Sequence, residues 1–182
     1  AVAPSDGSFG PNAKFWYPKK GGMESLPKSM GKYLNDGSVH TYARVSKIHV
    51  RKHMLEFEDG STCHYNNLIS TAPISKLTTL ADKVPANVAK AVSKLKWNTV
   101  YAVNIGLEIP NLTKMHWAYY ADPDLIFHRL SFPKNFAPSM APPNCSSVAA
   151  EISVSNWKDV GATDPKTLLK KTIQGLIKIG LI

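Results

Sequence analysis

The chain has 182 residues, a length that fits one domain, and 43% of them are hydrophobic, which is enough apolar side chain to build a core. Only 19% are charged, which argues against wholesale disorder. The formal net charge of +9 fits either a solvated basic surface or a field that attracts phosphate-bearing ligands. Nucleic acid is a weaker third reading, because the lysines are scattered in ones and twos.

In chain order, the hydrophobic spacing and turn residues predict eight strands and three helical regions. The expected helical regions are residues 23–34, 74–96 and 164–179. The expected strands are residues 43–50, 54–58, 62–65, 67–71, 100–107, 117–120, 126–132 and 147–154, and residues 133–144 are expected to form a Pro-rich loop. Neighbouring strands joined by short turns predict an α+β fold with a mostly antiparallel sheet and packed helices.

Three local signals place element boundaries. Asp59-Gly60 is a strong hairpin signal between the second and third expected strands. Pro85 is expected to begin a second helix within residues 74–96, because proline is tolerated in the first turn. Asp164 is a candidate N-cap, with Pro165 as the first helical residue.

The cysteines and the chain ends bear on the compartment and on completeness. Cys63 and Cys145 stand in no CxxC motif and near no histidine at metal spacing, so we expect reduced thiols in a cytoplasmic protein and no metal. No apolar run approaches the roughly 20 residues that span a bilayer, so no membrane partner is expected. The start at Ala1 and the apolar end at Ile182 look cut, so we expect missing N- and C-terminal parts of the same polypeptide.

The sequence lacks the common cofactor and nucleophile motifs. It has no GxGxxG after a strand, no GxxxxGK[ST], no GxSxG and no HExxH. The Rossmann motif for a dinucleotide is therefore absent from this chain. Taken alone, an enzyme of this length would have no visible anchor for a dinucleotide cofactor.

Three stretches, taken together in order, resemble one family. They are Gly10-Pro11-Asn12, Phe15-Trp16-Tyr17-Pro18 and Gly21-Gly22; then Val45-Ser46-Lys47-Ile48, Phe57-Glu58-Asp59-Gly60 and Leu68-Ile69-Ser70-Thr71-Ala72-Pro73; then Trp117-Ala118-Tyr119 and Phe127-His128-Arg129. This order resembles the flavin amine-oxidase and protoporphyrinogen-oxidase superfamily, and within it the eukaryotic-type UDP-galactopyranose mutases and their relatives. Residues 151–155 and 172–175 fit the same template.

The resemblance implies a substrate-binding domain over residues 1–182, taken from a longer FAD-dependent protein. It implies a small-molecule substrate of the UDP-sugar class and a ring isomerisation on reduced flavin. This chain alone is expected to be inactive, since it lacks a complete flavin site. Two alternatives stay open: an FAD-dependent oxidoreductase of the amine-oxidase type, and a non-catalytic binding module that kept the sheet.

Gly21, Gly22 and Val45 are the FAD contacts that the resemblance implies. A glycine pair lets backbone approach a flat ring closely, although it is also an ordinary connection from a loop to a helix. Val45 matches a strand residue whose backbone touches the adenine, and its alternative role is that of a core valine.

Arg129 is the first candidate for substrate binding. A guanidinium matches a phosphate with two hydrogen bonds, and a charge within an apolar strand is costly unless it is paired. In the mutases the matching arginine binds the substrate diphosphate. The alternative is a salt bridge to Asp122 or Asp124.

Trp117, Tyr119 and Asn12 complete the expected substrate site. Trp117 and Tyr119 are two residues apart in a strand, so they share one face, where an aromatic pair usually belongs to a core. The resemblance places them instead against the nucleotide sugar. Asn12 matches a substrate-contacting asparagine, and its alternative is a turn residue after Pro11. No residue is assigned a catalytic role.

Two positions depart from the mutase pattern. The mutases have a tyrosine seven residues after the arginine, whereas this chain has Phe136. A lost hydrogen bond to a charged group is worth about 1.5–3 kcal/mol. The Gly-Gly-Thr-Gly of the mutases is Gly-Gly-Met-Glu at residues 21–24. Both departures are compatible with a related enzyme that acts on another substrate.

Overall fold

The structure is a computed structural model that describes residues 15–155 and 163–182. The chain divides into two units, one made of Tyr33–Trp97 and the other of Ala1–Lys32 with Asn98–Ile182. We refer to them as the inserted unit and the main unit. That residues 1–182 form one substrate-binding domain stays a prediction.

Each unit combines helices with an antiparallel sheet. The strands are β1 Val45–His49, β2 Met54–Phe57, β3 Thr62–His64, β4 Thr99–Leu107, β5 Trp117–Tyr119, β6 Arg129–Ser131 and β7 Ser146–Val154. The helices are α1 Ser25–Gly31, α2 Ile74–Leu80, α3 Ala86–Val92, α4 Pro133–Phe136 and α5 Pro165–Lys178, with 3-10 turns at Val50–Lys52 and Pro138–Met140. The expected α+β class is therefore confirmed.

The inserted unit contains a three-stranded sheet in the order β1-β2-β3. Its second hairpin turns as expected, since Asp59 Oδ1 accepts hydrogen bonds from the backbone N–H and the hydroxyl of Ser61 at 2.9 and 2.6 Å. Gly60 has a φ of +81°, which glycine adopts at little cost. Pro85 directly precedes α3, as predicted.

The prediction of a strand at residues 67–71 is wrong. No strand forms there, and Ile69 is 92% exposed. The apolar run has the composition of a strand, but no neighbouring strand offers it a ladder of hydrogen bonds within the inserted unit. Composition alone does not supply that partner.

The main unit contains a four-stranded antiparallel sheet in the order β4-β7-β6-β5. The long strands β4 and β7 pair along their whole length, from Thr99 opposite Val154 to Leu107 opposite Ser146. One face of this sheet is the core, because alternate residues along each strand point to the same side. The buried residues of the core cluster are Leu125, Phe127, Leu130, Phe132, Val148, Ala150, Ile152, Leu168 and Leu176.

Helix α5 supplies the last two of those core residues and begins as the sequence predicts. The Asp164 side chain accepts a hydrogen bond from the backbone N–H of Thr167 at 3.0 Å, and Pro165 occupies the first turn. Hydrogen bonding from Thr167, by its side chain first and its backbone second, lowers the pKa of Asp164. Within the described ranges, none of the helices is long and apolar enough to cross a membrane.

The prediction that residues 133–144 form a Pro-rich loop is wrong, because this segment contains α4 and a 3-10 turn. Pro133 occupies the first turn of α4, where the missing N–H has no helical partner to lose. The side chains of this short helix hold the segments before β5 and β7. Lys134 Nζ donates to the carbonyls of Pro110 and Cys145 at 2.6 and 2.8 Å, and Asn135 Nδ2 donates to the carbonyls of Thr113 and Met115 at 2.8 and 2.5 Å.

We predict that Gly175→Ala destabilises the main unit. A Cβ at Gly175 would lie 2.7 Å from Cε1 of Phe127, whose side chain is 1% exposed and cannot move into solvent. Overpacking of this kind costs about 1–3 kcal/mol, against the roughly 1 kcal/mol that alanine gains over glycine in a helix. The free energy of unfolding from chemical denaturation should therefore fall.

The exposed neighbour on the same helix provides the control. Gln174→Ala changes an exposed side chain, so the free energy of unfolding of this variant should match or exceed that of the wild type. A Gly175→Ala protein that is as stable as the wild type would contradict the packing described for Phe127.

Candidate functional site

The face of the four-stranded sheet that lies opposite the core carries a row of polar and aromatic side chains. Arg129 on β6 is paired with Tyr119 on β5 and with Glu151 on β7. Their neighbours Leu130 and Ala150 are fully buried on the core face. Because side chains alternate along a strand, Arg129 and Glu151 must project from the other face. We call this second face the open face.

Arg129 is held by one carboxylate and two rings. Its Nη1 lies 3.1 Å from Oε1 and 3.5 Å from Oε2 of Glu151. Its Cζ lies 5.5 Å from the ring centroid of Tyr119 and 5.9 Å from that of Trp117, which are cation–π distances. The two aromatic residues therefore share one face, as their spacing predicts.

The guanidinium keeps one donor without a partner. Arg129 Nε is buried and makes no hydrogen bond within the part of the chain that the structure describes. A buried donor left unpaired costs about 1–3 kcal/mol. Because the side chain as a whole is 30% exposed, it is also open to an acceptor from outside the chain, and a phosphate oxygen matches the planar geometry of a guanidinium.

The alternative prediction, a salt bridge from Arg129 to Asp122 or Asp124, is wrong. Asp122 and Asp124 instead pair with Lys178 Nζ, at 3.4 and 2.9 Å. The hydrogen bond from Lys178 to Asp124 is the main reason why the pKa of Lys178 is raised. Both aspartates are therefore engaged at the C-terminal end of α5, where a lysine also complements the helix dipole.

A cluster of five rings extends the site away from Arg129. We call it the aromatic cluster, and its members are Phe15, Tyr17, His116, Trp117 and Phe136. Phe136 stacks on Trp117 with 6.1 Å between ring centroids and 22° between ring planes. It also contacts Tyr17 at 5.4 Å. Phe136 is therefore a packed member of the site and not an exposed replacement.

Gly21 and Gly22 form a turn beside this cluster. Their φ angles are +78° and +60°, a region that other residues adopt only with strain. A Cβ on Gly22 would lie 3.7 Å from the hydroxyl oxygen of Tyr17. The structure thus places Gly22 next to Tyr17 of the aromatic cluster, with Gly21 exposed.

Val45 and Asn12 are the remaining predicted site residues. Val45 begins β1, an edge strand of the inserted unit, and a register irregularity separates it from Lys47. An edge strand presents backbone groups that can bind a ligand, so this position fits a contact made through the main chain. Asn12 lies outside the described residues.

The sequence reasoning missed Glu151 as the partner of Arg129. A carboxylate in the middle of the apolar strand at residues 146–154 was a usable signal, because a half-buried charge needs an opposite charge nearby. It also missed that Phe15 contacts Trp117 and that Tyr17 contacts Phe136, since no local pattern predicts a contact between segments about a hundred residues apart. No group of three or more His, Cys, Asp or Glu side chains suited to a metal occurs among residues 15–155 and 163–182.

We predict measurable energetic coupling between Arg129 and Glu151. Their side chains are 30% and 27% exposed, so the pair is shielded more than a surface pair. In a double-mutant cycle with Arg129→Met and Glu151→Gln, the coupling free energy of unfolding should be about 1 kcal/mol. Chemical denaturation of the four proteins measures it.

The exposed pair of Lys178 and Asp124 gives the matching control, with Lys178→Met and Asp124→Asn. Coupling there should be weaker, because solvent screens it. No coupling between Arg129 and Glu151 would contradict a guanidinium that is fixed by its neighbour.

Comparison with known proteins finds a matching family model and solved structures with a similar fold. The family model described as flavin-containing amine oxidoreductase matches residues 4–174. A crystal structure of reduced UDP-galactopyranose mutase is similar with a TM-score of 0.83 and 22% identity, over 96% of this chain and 39% of that chain. A protein from Pyrococcus furiosus is similar with a TM-score of 0.57 and 15% identity, over 75% of this chain and 33% of that chain.

These two similarities show a shared fold. The chain spans 39% and 33% of the lengths of the two structures that it matches.

Proposed function

The chain belongs to the family of flavin-containing amine oxidoreductases, and on that premise we propose that it is the substrate-binding part of an FAD-dependent enzyme whose substrate carries a diphosphate. The reaction we propose is isomerisation of a nucleotide sugar, of the type named for UDP-galactopyranose mutase. Family membership implies FAD as the cofactor of the full-length protein. The substrate and the reaction are our proposals.

A single observation carries this proposal: the guanidinium of Arg129 on the open face. One of its nitrogens is fixed by Glu151, and the side chain is 30% exposed, so it stays open to a ligand. The rings of Tyr119 and Trp117 flank it. A fixed planar donor with aromatic walls binds a phosphate oxygen in one orientation and offers the rings to a sugar or a base.

The residues present are compatible with a flavin. The turn at Gly21 and Gly22 has left-handed backbone angles and no Cβ, so a flat ring can approach its main chain closely. When bound and reduced, FAD supplies the electron-rich group that such an isomerisation requires. In this proposal Val45 contributes a separate main-chain contact from its edge strand.

The chain's own residues would then bind, orient and shield the substrate. Arg129 binds the diphosphate and neutralises charge on it as it leaves the sugar, which lowers the barrier to departure. Trp117 and Tyr119 orient the sugar next to that phosphate. The aromatic cluster excludes water from the side of the site that faces the glycine turn. In this proposal Asn12 adds a further contact to the substrate.

Oxidation of an amine or another reduced substrate is the second candidate function. The observation that favours it is the family itself, whose description is that of amine oxidoreductases. That chemistry needs no phosphate site, so the pair of Arg129 and Glu151 would serve only the stability of the sheet. The two candidates differ in whether Arg129 contacts a phosphate.

We predict that Arg129→Ala strongly reduces isomerisation in the full-length parent protein. The test is to load the parent with FAD, reduce it with dithionite, add UDP-galactopyranose or UDP-galactofuranose, and follow interconversion by chromatography. Losing hydrogen bonds to a charged ligand should lower kcat/KM by about 10- to 100-fold or more, at 1.5–3 kcal/mol per bond.

Arg44→Ala is the matched control, because Arg44 is an exposed arginine whose pair with Glu58 is well solvated. It should leave turnover unchanged. A flavin-loaded parent without turnover would favour the amine-oxidase type instead. A parent that takes up no FAD would contradict both candidates and favour a binding module.

A further inference from the structure

The aromatic cluster forms a continuous surface from Arg129 to the glycine turn. Arg129 Cζ lies 5.9 Å from the Trp117 ring, Trp117 stacks on Phe136 at 6.1 Å, and Phe136 contacts Tyr17 at 5.4 Å. The Tyr17 hydroxyl then lies beside Gly22, within 3.7 Å of the position that a Cβ there would occupy. A ligand that reaches from the guanidinium toward the glycine turn therefore passes over these rings.

Tyr17 carries the only phenolic hydroxyl in the aromatic cluster, since the other members are Phe15, His116, Trp117 and Phe136. Phe136, which stacks on Trp117 next to Arg129, cannot donate a hydrogen bond at all. Within the aromatic cluster, the Tyr17 hydroxyl is therefore the neutral O–H donor available to a ligand oxygen.

The present partner of this hydroxyl is weak. Tyr17 donates to Sδ of Met140 at 3.3 Å, and Met140 is 43% exposed. A thioether sulfur is a poor acceptor, whereas a phosphate oxygen forms a shorter, charge-assisted bond. The hydroxyl therefore gains by exchanging the sulfur for an anionic ligand oxygen, and the exchange leaves no buried donor unpaired.

We propose that Tyr17 donates its hydroxyl hydrogen bond to the substrate's phosphate, and that Phe136 is the ring that holds Tyr17 in place. This inference rests on the proposed function, because the phosphate is that of the diphosphate substrate. It adds a binding residue from the segment before the glycine turn, which lies far along the chain from Arg129. The phosphate is then bound by one charged donor and one neutral donor.

The test is the affinity of the full-length, FAD-loaded parent for UDP, measured by isothermal titration calorimetry. Tyr17→Phe keeps the ring and its contact with Phe136 while removing the hydroxyl. It should weaken UDP binding by about 10-fold or more, the effect of one hydrogen bond to a charged group. Affinity for uridine, which has no phosphate, should not change.

Two further variants separate binding from structure. Met140→Leu removes the sulfur acceptor and should leave UDP affinity unchanged. The double variant Tyr17→Phe with Phe136→Tyr returns a hydroxyl to the same ring contact and should recover part of the lost affinity. Because the mutases carry a tyrosine at position 136, the double variant is compared with the single variant Phe136→Tyr, and a fall in UDP affinity from the single to the double variant reports the hydroxyl of Tyr17.

Each contrary outcome identifies what has failed. If Tyr17→Phe binds UDP as tightly as the wild type, the role of Tyr17 is wrong while the proposed function stands. If UDP and uridine weaken equally, Tyr17 is structural and the inference is overturned. If the FAD-loaded wild type binds no UDP, the proposed function fails and this inference fails with it.

Discussion

The pairing of Arg129 with Glu151 is the interaction on which the site depends. Three adjacent strands set its geometry, because Arg129 lies opposite Tyr119 on one side and opposite Glu151 on the other. The carboxylate fixes one nitrogen of the guanidinium, and the flanking rings limit its rotation. A charge this shielded would be unfavourable without its partner, and with that partner it becomes a rigid donor.

The core face in turn sets the register in which strands β6 and β7 pair. Leu130 follows Arg129 on β6, Ala150 precedes Glu151 on β7, and both of these apolar residues are fully buried. A slip of one residue in either strand would carry these apolar side chains to the open face and bury the charges. The packing of α5 against the core therefore stabilises the site indirectly, through the register that it enforces. Stability and binding geometry are two consequences of the same strand alternation.

Local patterns predicted much of this architecture. The turn at Asp59, the cap at Asp164 and the shared face of Trp117 and Tyr119 all follow from interactions between residues close in sequence. The pairing of Arg129 with Glu151 does not, since it requires knowing which strand lies beside β6. The run around Ile69 failed for the same reason, because strand composition forms a strand only where a neighbour offers hydrogen bonds.

The most direct measurement of the central claim is a crystal structure of the full-length protein with FAD and UDP bound. The account predicts a phosphate oxygen within hydrogen-bond distance of a guanidinium nitrogen of Arg129, with Glu151 still paired to the guanidinium and the rings of Tyr119 and Trp117 beside the ligand. A structure in which UDP is bound elsewhere, with Arg129 contacting only Glu151, would contradict the phosphate site and leave the pair a purely structural role.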